Sequence, residues 1–277
     1  MKTILIASIA ILTTCSINAQ VKMPQPSTTQ TIKQDFGMGA IELTYSRPNI
    51  KERKVFGGLV PFGKLWRTGA NAATKIKFLD EVEINGKKID TGTYVLYTVP
   101  NIDNWEIVIN KGLNNWGVDG YKETEDVLRF KVTPMKIKNK IETFTMQFAN
   151  VKPESCELHI MWDKTAVAIP INTNIKEKLR SQIENALQGD SKKPYWQAAQ
   201  FYNEWDKNFT KALENVNKGI AENPKAFWML LYKAKMQKEM GDMAGAKESA
   251  QQSLALAKEA KNDDYVKMNE ELLKSLN

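Results

Sequence analysis

Histidine is reduced to a single residue in this chain, His159, and cysteine to two, Cys15 and Cys156. A Ser/His or Cys/His nucleophile pair would have to rest on that one imidazole. A zinc site near it would lack ligands, because no second His or Cys joins His159 and Cys156 to complete a tetrahedral set. Arginine is scarce too, at five of the 39 cationic residues, and the lysines are interleaved with 32 acids. The net charge of +7 is therefore read as a solvated surface and not as a nucleic-acid groove. No apolar run reaches the roughly 20 residues that cross a bilayer, and neither a phosphate loop nor a dinucleotide fingerprint is present. The sequence thus names no catalytic residue, metal, cofactor, nucleic-acid partner or transmembrane span.

What is present begins with a leader. Lys2 precedes an apolar run from Ile4 to Leu12, and a small-residue stretch ends at Ala19 before Gln20. This reads as a secretory signal peptide over 1–19, cleaved after Ala19, for a periplasmic or secreted protein. The alternative is a lipoprotein signal with Cys15 lipidated, against which Thr14 is bulkier than the usual Gly or Ala. Cleavage after Ala19 leaves Cys156 as the only thiol, so no intrachain disulfide forms and stability must come from the core.

A β domain is placed at 20–172, and from about Ser27 to Ile171 the apolar residues alternate with polar ones in short runs. Ile41, Leu43 and Tyr45 lie two apart within Gly39 to Ser46, as a half-buried strand requires. Similar runs occupy Lys75 to Leu79, Thr93 to Val99, Trp105 to Asn110, Val127 to Val132, Ile141 to Phe148, Cys156 to Trp162 and Ala166 to Ile171. Asn85-Gly86 between Val82 and Ile89 predicts a two-residue hairpin with positive φ at both turn positions. Regularly spaced short strands without helical crossovers predict an antiparallel β-sandwich or barrel. Tyr94 and Leu96 are expected on one face of a core strand and Tyr97 on the other. Trp105, Trp116 and Trp162 are expected to fill the core rather than form a carbohydrate platform.

The period changes after Pro170. Ile175, Leu179, Ile183, Ala186 and Leu187 form one helical stripe, making 173–192 a helix and linker. Residues 193–277 then read as a helical domain with a repeat of roughly 34 residues, the tetratricopeptide length. Placing Lys207 over Gly241 aligns Ala212 with Ala246, Val216 with Ala250 and Ile220 with Leu254. Asp263 to Leu276 would be a capping helix, with Val266, Met268, Leu272, Leu273 and Leu276 available to bury. The fold class is therefore α+β and multidomain, a β-sandwich or barrel followed by a tetratricopeptide-like array that could engage a protein or peptide.

Tyr45-Ser46-Arg47-Pro48, Val55-Phe56-Gly57-Gly58-Leu59-Val60-Pro61-Phe62-Gly63, the nonapeptide Trp66-Arg67-Thr68-Gly69-Ala70-Asn71-Ala72-Ala73-Thr74, and Gly92-Thr93-Tyr94 with Pro100 and Trp105 are the most distinctive residues. In order and spacing they resemble the bacterial family known as domain of unknown function 2911, over about 27–171. The resemblance implies an exported β domain of Bacteroidetes-like bacteria, sometimes followed by helical repeats, with no established activity and no catalytic residues to carry over.

The segment from Arg47 to Thr74 is long for a connection in a compact β domain, and such loops tend to serve function or to cover a sheet edge. Within it Arg47, Arg53, Trp66, Arg67, Thr68, Asn71 and Thr74 are the candidate ligand-binding residues. Arg67 offers a planar fork to a carboxylate or phosphate, Asn71 an amide to a sugar or peptide, and Trp66 a stacking face. The same residues could instead anchor the loop: Arg67 on Asp35, Glu42 or Asp126, Asn71 on loop backbone, Trp66 as a plug in the sandwich end. The first functional reading is a non-catalytic envelope protein that binds a small anionic or glycan ligand and engages a protein through its helices. The alternatives are a hydrolase of glycans or peptides acting through Glu123, Glu125 and Asp126, and an assembly scaffold that uses only the helical half.

Overall fold

A computed structural model describes residues 23–276. The leader, its cleavage point and Cys15 lie outside the described residues. The chain divides into two compact units, with the boundary between Asn172 and Thr173.

The first unit holds ten strands: β1 (Thr28–Phe36), β2 (Gly39–Arg47), β3 (Thr74–Phe78), β4 (Val82–Ile84), β5 (Lys87–Ile89), β6 (Gly92–Pro100), β7 (Trp105–Asn110), β8 (Asp126–Val132), β9 (Met135–Ala149) and β10 (Ser155–Asn172). They form two antiparallel sheets, a six-stranded one in the order β1-β2-β3-β6-β7-β8 and a four-stranded one in the order β5-β4-β10-β9. One apolar core lies between them, taking Leu43, Ile76, Leu96 and Ile107 from the first and Ile84, Phe144, Leu158 and Ile169 from the second. Two sheets around a shared core make a sandwich rather than a closed barrel. Each fully buried side chain of this kind stabilises by about 1.5–3 kcal/mol.

Alternation explains most strands. In β3 the pattern buries Thr74, Ile76 and Phe78 and exposes Lys75 and Lys77. The Asn85-Gly86 turn has φ of 51° and 74°, as the hairpin joining β4 and β5 requires. β6 is buried on both faces: Tyr94 and Leu96 enter the main core, while Val95 and Tyr97 join a smaller cluster with Ala73 and Val108, covered by Leu65 and Tyr121.

Three strand expectations change. β1 carries too few apolar residues to register as a strand alone, and it exists as an edge paired along its length with β2. β9 begins at Met135, well before Ile141, because its Lys-rich first part is paired with β10 near Thr165. The runs Cys156 to Trp162 and Ala166 to Ile171 are one strand, β10, in which the turn-like Asp163 is absorbed as an irregularity of register with φ of 54°.

The sheets are joined along one edge. After β2 the chain pairs with β9: Phe144 N–H donates to Pro48 O at 2.8 Å and Ile50 N–H to Glu142 O at 3.0 Å. The Tyr45 hydroxyl accepts from Met146 N–H at 2.9 Å and lies 2.8 Å from Gln30 Oε1.

The second unit is helical: α1 (Lys176–Gln188), α2 (Tyr195–Gln200) running into a π-helical turn at Phe201–Trp205, α3 (Phe209–Glu222), α4 (Phe227–Glu239), α5 (Met243–Glu259) and α6 (Asp263–Lys274). Asn208, Asp242 and Asn262 cap α3, α5 and α6, each side chain accepting from the N–H three residues on. Each follows a residue at positive φ, Lys207, Gly241 and Lys261. The α1 stripe packs into this unit, with Ile183, Leu179 and Leu187 against Ala198, Phe201 and Val216. In α6 Leu272 is buried, but Met268 is 40 % exposed, and Tyr265 packs in the cluster instead. Among the described residues no helix is long and apolar enough to cross a membrane.

Candidate functional site

The nonapeptide is tied at both ends to β6 and its neighbour. Trp66 pairs with Thr98, its N–H donating to Thr98 O at 2.7 Å and its carbonyl accepting Thr98 N–H at 3.0 Å. Thr74 opens β3 opposite Leu96, so residues 67–73 are a loop thrown out between two rungs along β6.

The loop satisfies itself internally. Thr68 is fully buried, with Oγ1 3.1 Å from Thr98 Oγ1, and Thr74 Oγ1 donates to Thr68 O at 2.6 Å. Trp66 Nε1 donates to Gly69 O at 3.0 Å. Gly69 has φ of 151°, and a Cβ there would lie 2.9 Å from Ser46 O, so only glycine fits. Thr68 sits at φ 53°, a left-handed conformation that costs a β-branched residue of order 1–3 kcal/mol.

The candidate residues separate into two groups. Arg53, Trp66, Arg67 and Asn71 line a cavity of about 320 Å3, together with Ser27, Pro48, Leu59, Val60, Gly69, Ala70 and Trp162. Arg47, Thr68 and Thr74 are not part of that lining. Arg47 is spent on β9, donating through Nε to Phe144 O at 3.1 Å and through Nη2 to Thr145 Oγ1 at 2.9 Å. Thr68 and Thr74 hold the loop from beneath.

Arg67 ends on no carboxylate, contrary to the anchoring expectation. Its one hydrogen bond among the described residues is from Nη1 to Asn71 O at 2.8 Å. Asp126 is engaged elsewhere, by Asn110, Tyr121 and Arg129. The guanidinium lies against Gly117, where a Cβ would come within 2.8 Å of Nη1. Arg53 donates to Ile50 O at 2.9 Å and Asn49 O at 2.8 Å and likewise meets no acid. Asn71 does bind backbone as expected, its amide donating to Ser27 O at 3.1 Å and reaching Ser46 Oγ at 3.4 Å.

The described lining thus includes two arginines and no acid, with Trp66 and Trp162, whose rings stack at 5.9 Å and 14°. Both indole N–H groups are occupied, Trp162 Nε1 by Glu142 O, so these rings offer only carbon. Trp66 is also the expected plug, buried with Phe56, Trp105, Phe144 and Trp162. Sequence reasoning missed Ser27 and Trp162 in the wall. No local signal marks them, because strand pairing brings them from opposite ends of the unit.

A family model described as protein of unknown function (DUF2911) matches residues 27–171. The chain belongs to this family. The matched span opens at Ser27 and runs into β10, so every residue lining the cavity lies inside the family domain. Comparison with curated proteins gives no match. The distinctive Tyr45-Ser46-Arg47 motif gains a physical account: Tyr45 and Arg47 knit β2 to β9, and Ser46 receives Asn71.

The other chemical groups are bound up in structure. Cys156 is buried in the core, and burial pushes its thiol up to about 11, which makes it an unreactive thiol. His159 faces outward with Glu157, Nε2 to Oε2 at 2.6 Å, and this contact with that from Asn150 holds the Glu157 carboxyl below its ordinary range. Glu123 and Glu125 sit on one short helical turn directly before Asp126, so these three are not opposed across a cleft as glycoside hydrolysis requires. Trp105 and Trp162 are core residues, whereas Trp116 is 65 % exposed, its turn held out from the sandwich.

Proposed function

We propose that the family domain is a non-catalytic receptor of the bacterial envelope for a small anionic ligand, a carboxylate, phosphate or acidic sugar, held by Arg67 and Arg53. The observation that carries this reading is that Arg67, whose one hydrogen bond among the described residues is to Asn71 O, lines with Arg53 a cavity that has no acid among its described lining residues. The left-handed Thr68 and Asn71 support it, since a strained loop held from beneath positions groups at a cost that packing alone does not require.

Titration calorimetry of the full chain against phosphate, acetate, glucuronate and sialate tests it. One of these should bind, and Arg67→Ala should weaken it by about 10-fold to 150-fold, the range for a charge-assisted hydrogen bond. The melting temperature should hardly move, because only the bond to Asn71 O is lost. A large fall in melting temperature with no anion bound would return Arg67 to a packing role.

A second reading concerns the helical unit, which we take as tetratricopeptide-like and as a surface for protein contact. It is supported by Lys207 and Gly241, 34 residues apart and both left-handed, each followed by a capping side chain. The matched pairs Ala212/Ala246 and Val216/Ala250 are all buried, as close helix packing requires. Because α1 packs with this unit, residues 173–277 are the piece that should retain partner binding if the reading holds.

A further inference from the structure

A second cavity of about 210 Å3 lies at the end of the sandwich where the 56–62 segment, the β6–β7 turn and the β8–β9 turn meet. Its apolar wall is Phe56, Phe62, Ile102, Trp105, Pro134 and Met135. Phe56 and Trp105 form the floor, 4.9 Å apart edge to face, with Trp105 buried beneath. At the rim Ile102 is 74 % and Met135 47 % exposed.

Three polar groups complete the lining: the Asn101 amide, the Lys136 ammonium and the Thr165 hydroxyl. Among the described residues none of these side chains makes a hydrogen bond or an ion pair within the protein. Lys136 and Thr165 are direct partners across β9 and β10, so their side chains leave the sheet on one side. Among the described residues no acid lines the cavity.

We propose that this cavity binds a small hydrophobic monocarboxylate, with a single ring or short chain on the Phe56–Trp105 floor and its carboxylate at Lys136 and Thr165. An apolar cavity of about 150 Å3 already takes a benzene ring, so this one has room for a ring and a short acid arm. An apolar body with a few convergent polar groups is the ordinary composition of a small-molecule site. One cation with one hydroxyl and one amide matches a single negative charge. The site shares no lining residue with the Arg53–Arg67 cavity, so it stands or falls separately.

The test uses the full chain and 3-phenylpropionate, with 3-phenylpropan-1-ol as its neutral counterpart, followed by titration calorimetry and tryptophan fluorescence. The acid should bind one to one and change the tryptophan emission through Trp105. Lys136→Met, at a rim position, should weaken the acid about 10-fold or more and leave the alcohol unchanged. Phe62→Ala, a 38 % exposed wall residue, should weaken both, and Arg67→Ala neither. Absence of saturable binding overturns the proposal. So does equal affinity of wild type and Lys136→Met for the acid, or loss of binding in Arg67→Ala.

Discussion

Arg67 keeps its place by one hydrogen bond and by packing: Nη1 donates to Asn71 O, and Gly117 leaves room for its plane. Gly117→Ala should therefore displace the guanidinium and weaken any anion bound by it, with stability as a control for the strained turn, whose φ is 65°. Beneath it Thr74→Val removes the donor to Thr68 O between two fully buried threonines, and should cost about 1–3 kcal/mol in denaturant unfolding. That pair of variants separates ligand geometry from loop support. The residue types of the nonapeptide were legible as polar anchors. Which of them face the cavity was not, because Thr68 and Arg67 are neighbours in sequence and the left-handed turn at Thr68 sends one down and the other out.

Elements with strong alternation or a local turn code were readable from their own residues, as β3, β6 and the β4–β5 hairpin are. Those that owe their form to a partner were not. β1 and the first part of β9 are polar, and they are extended because β2 and β10 supply the hydrogen bonds. In the helical unit α1 is fastened by Arg180, which donates to Asp206 from both Nη atoms, with Nη1 at 2.7 Å, and lies 5.5 Å over the Phe201 ring. Arg180 holds the Asp206 carboxyl below its ordinary range, with Lys176 adding to the effect. A carboxylate with a lowered folded-state pKa contributes stability above its unfolded pKa and loses it as pH falls through the folded value. The stability of the helical unit should therefore fall with acid in the wild type, and Arg180→Met should flatten that slope below pH about 5. Equal slopes would dissociate the ion pair from stability.

At the scale of the molecule, two units with separate cores predict separate folding. Residues 23–172 expressed alone should unfold cooperatively with the same denaturant midpoint as the β signal in the full chain, and residues 173–277 should retain helical circular dichroism. A β unit that aggregates when cut after Asn172 would show that the boundary does not divide stability. The sequence by itself determined the change of period near Pro170, the antiparallel character of the first unit, the Asn-Gly hairpin and the family membership, because each rests on residues close together in the chain. The tertiary structure alone decided that Arg47 leaves the site for β9, that Arg67 meets no carboxylate, and that Ser27 and Trp162 complete its cavity. Those outcomes depend on how segments far apart in the chain, such as Arg47 and Phe144, are brought together, and strand pairing is set by the sum of many weak side-chain contacts rather than by any motif.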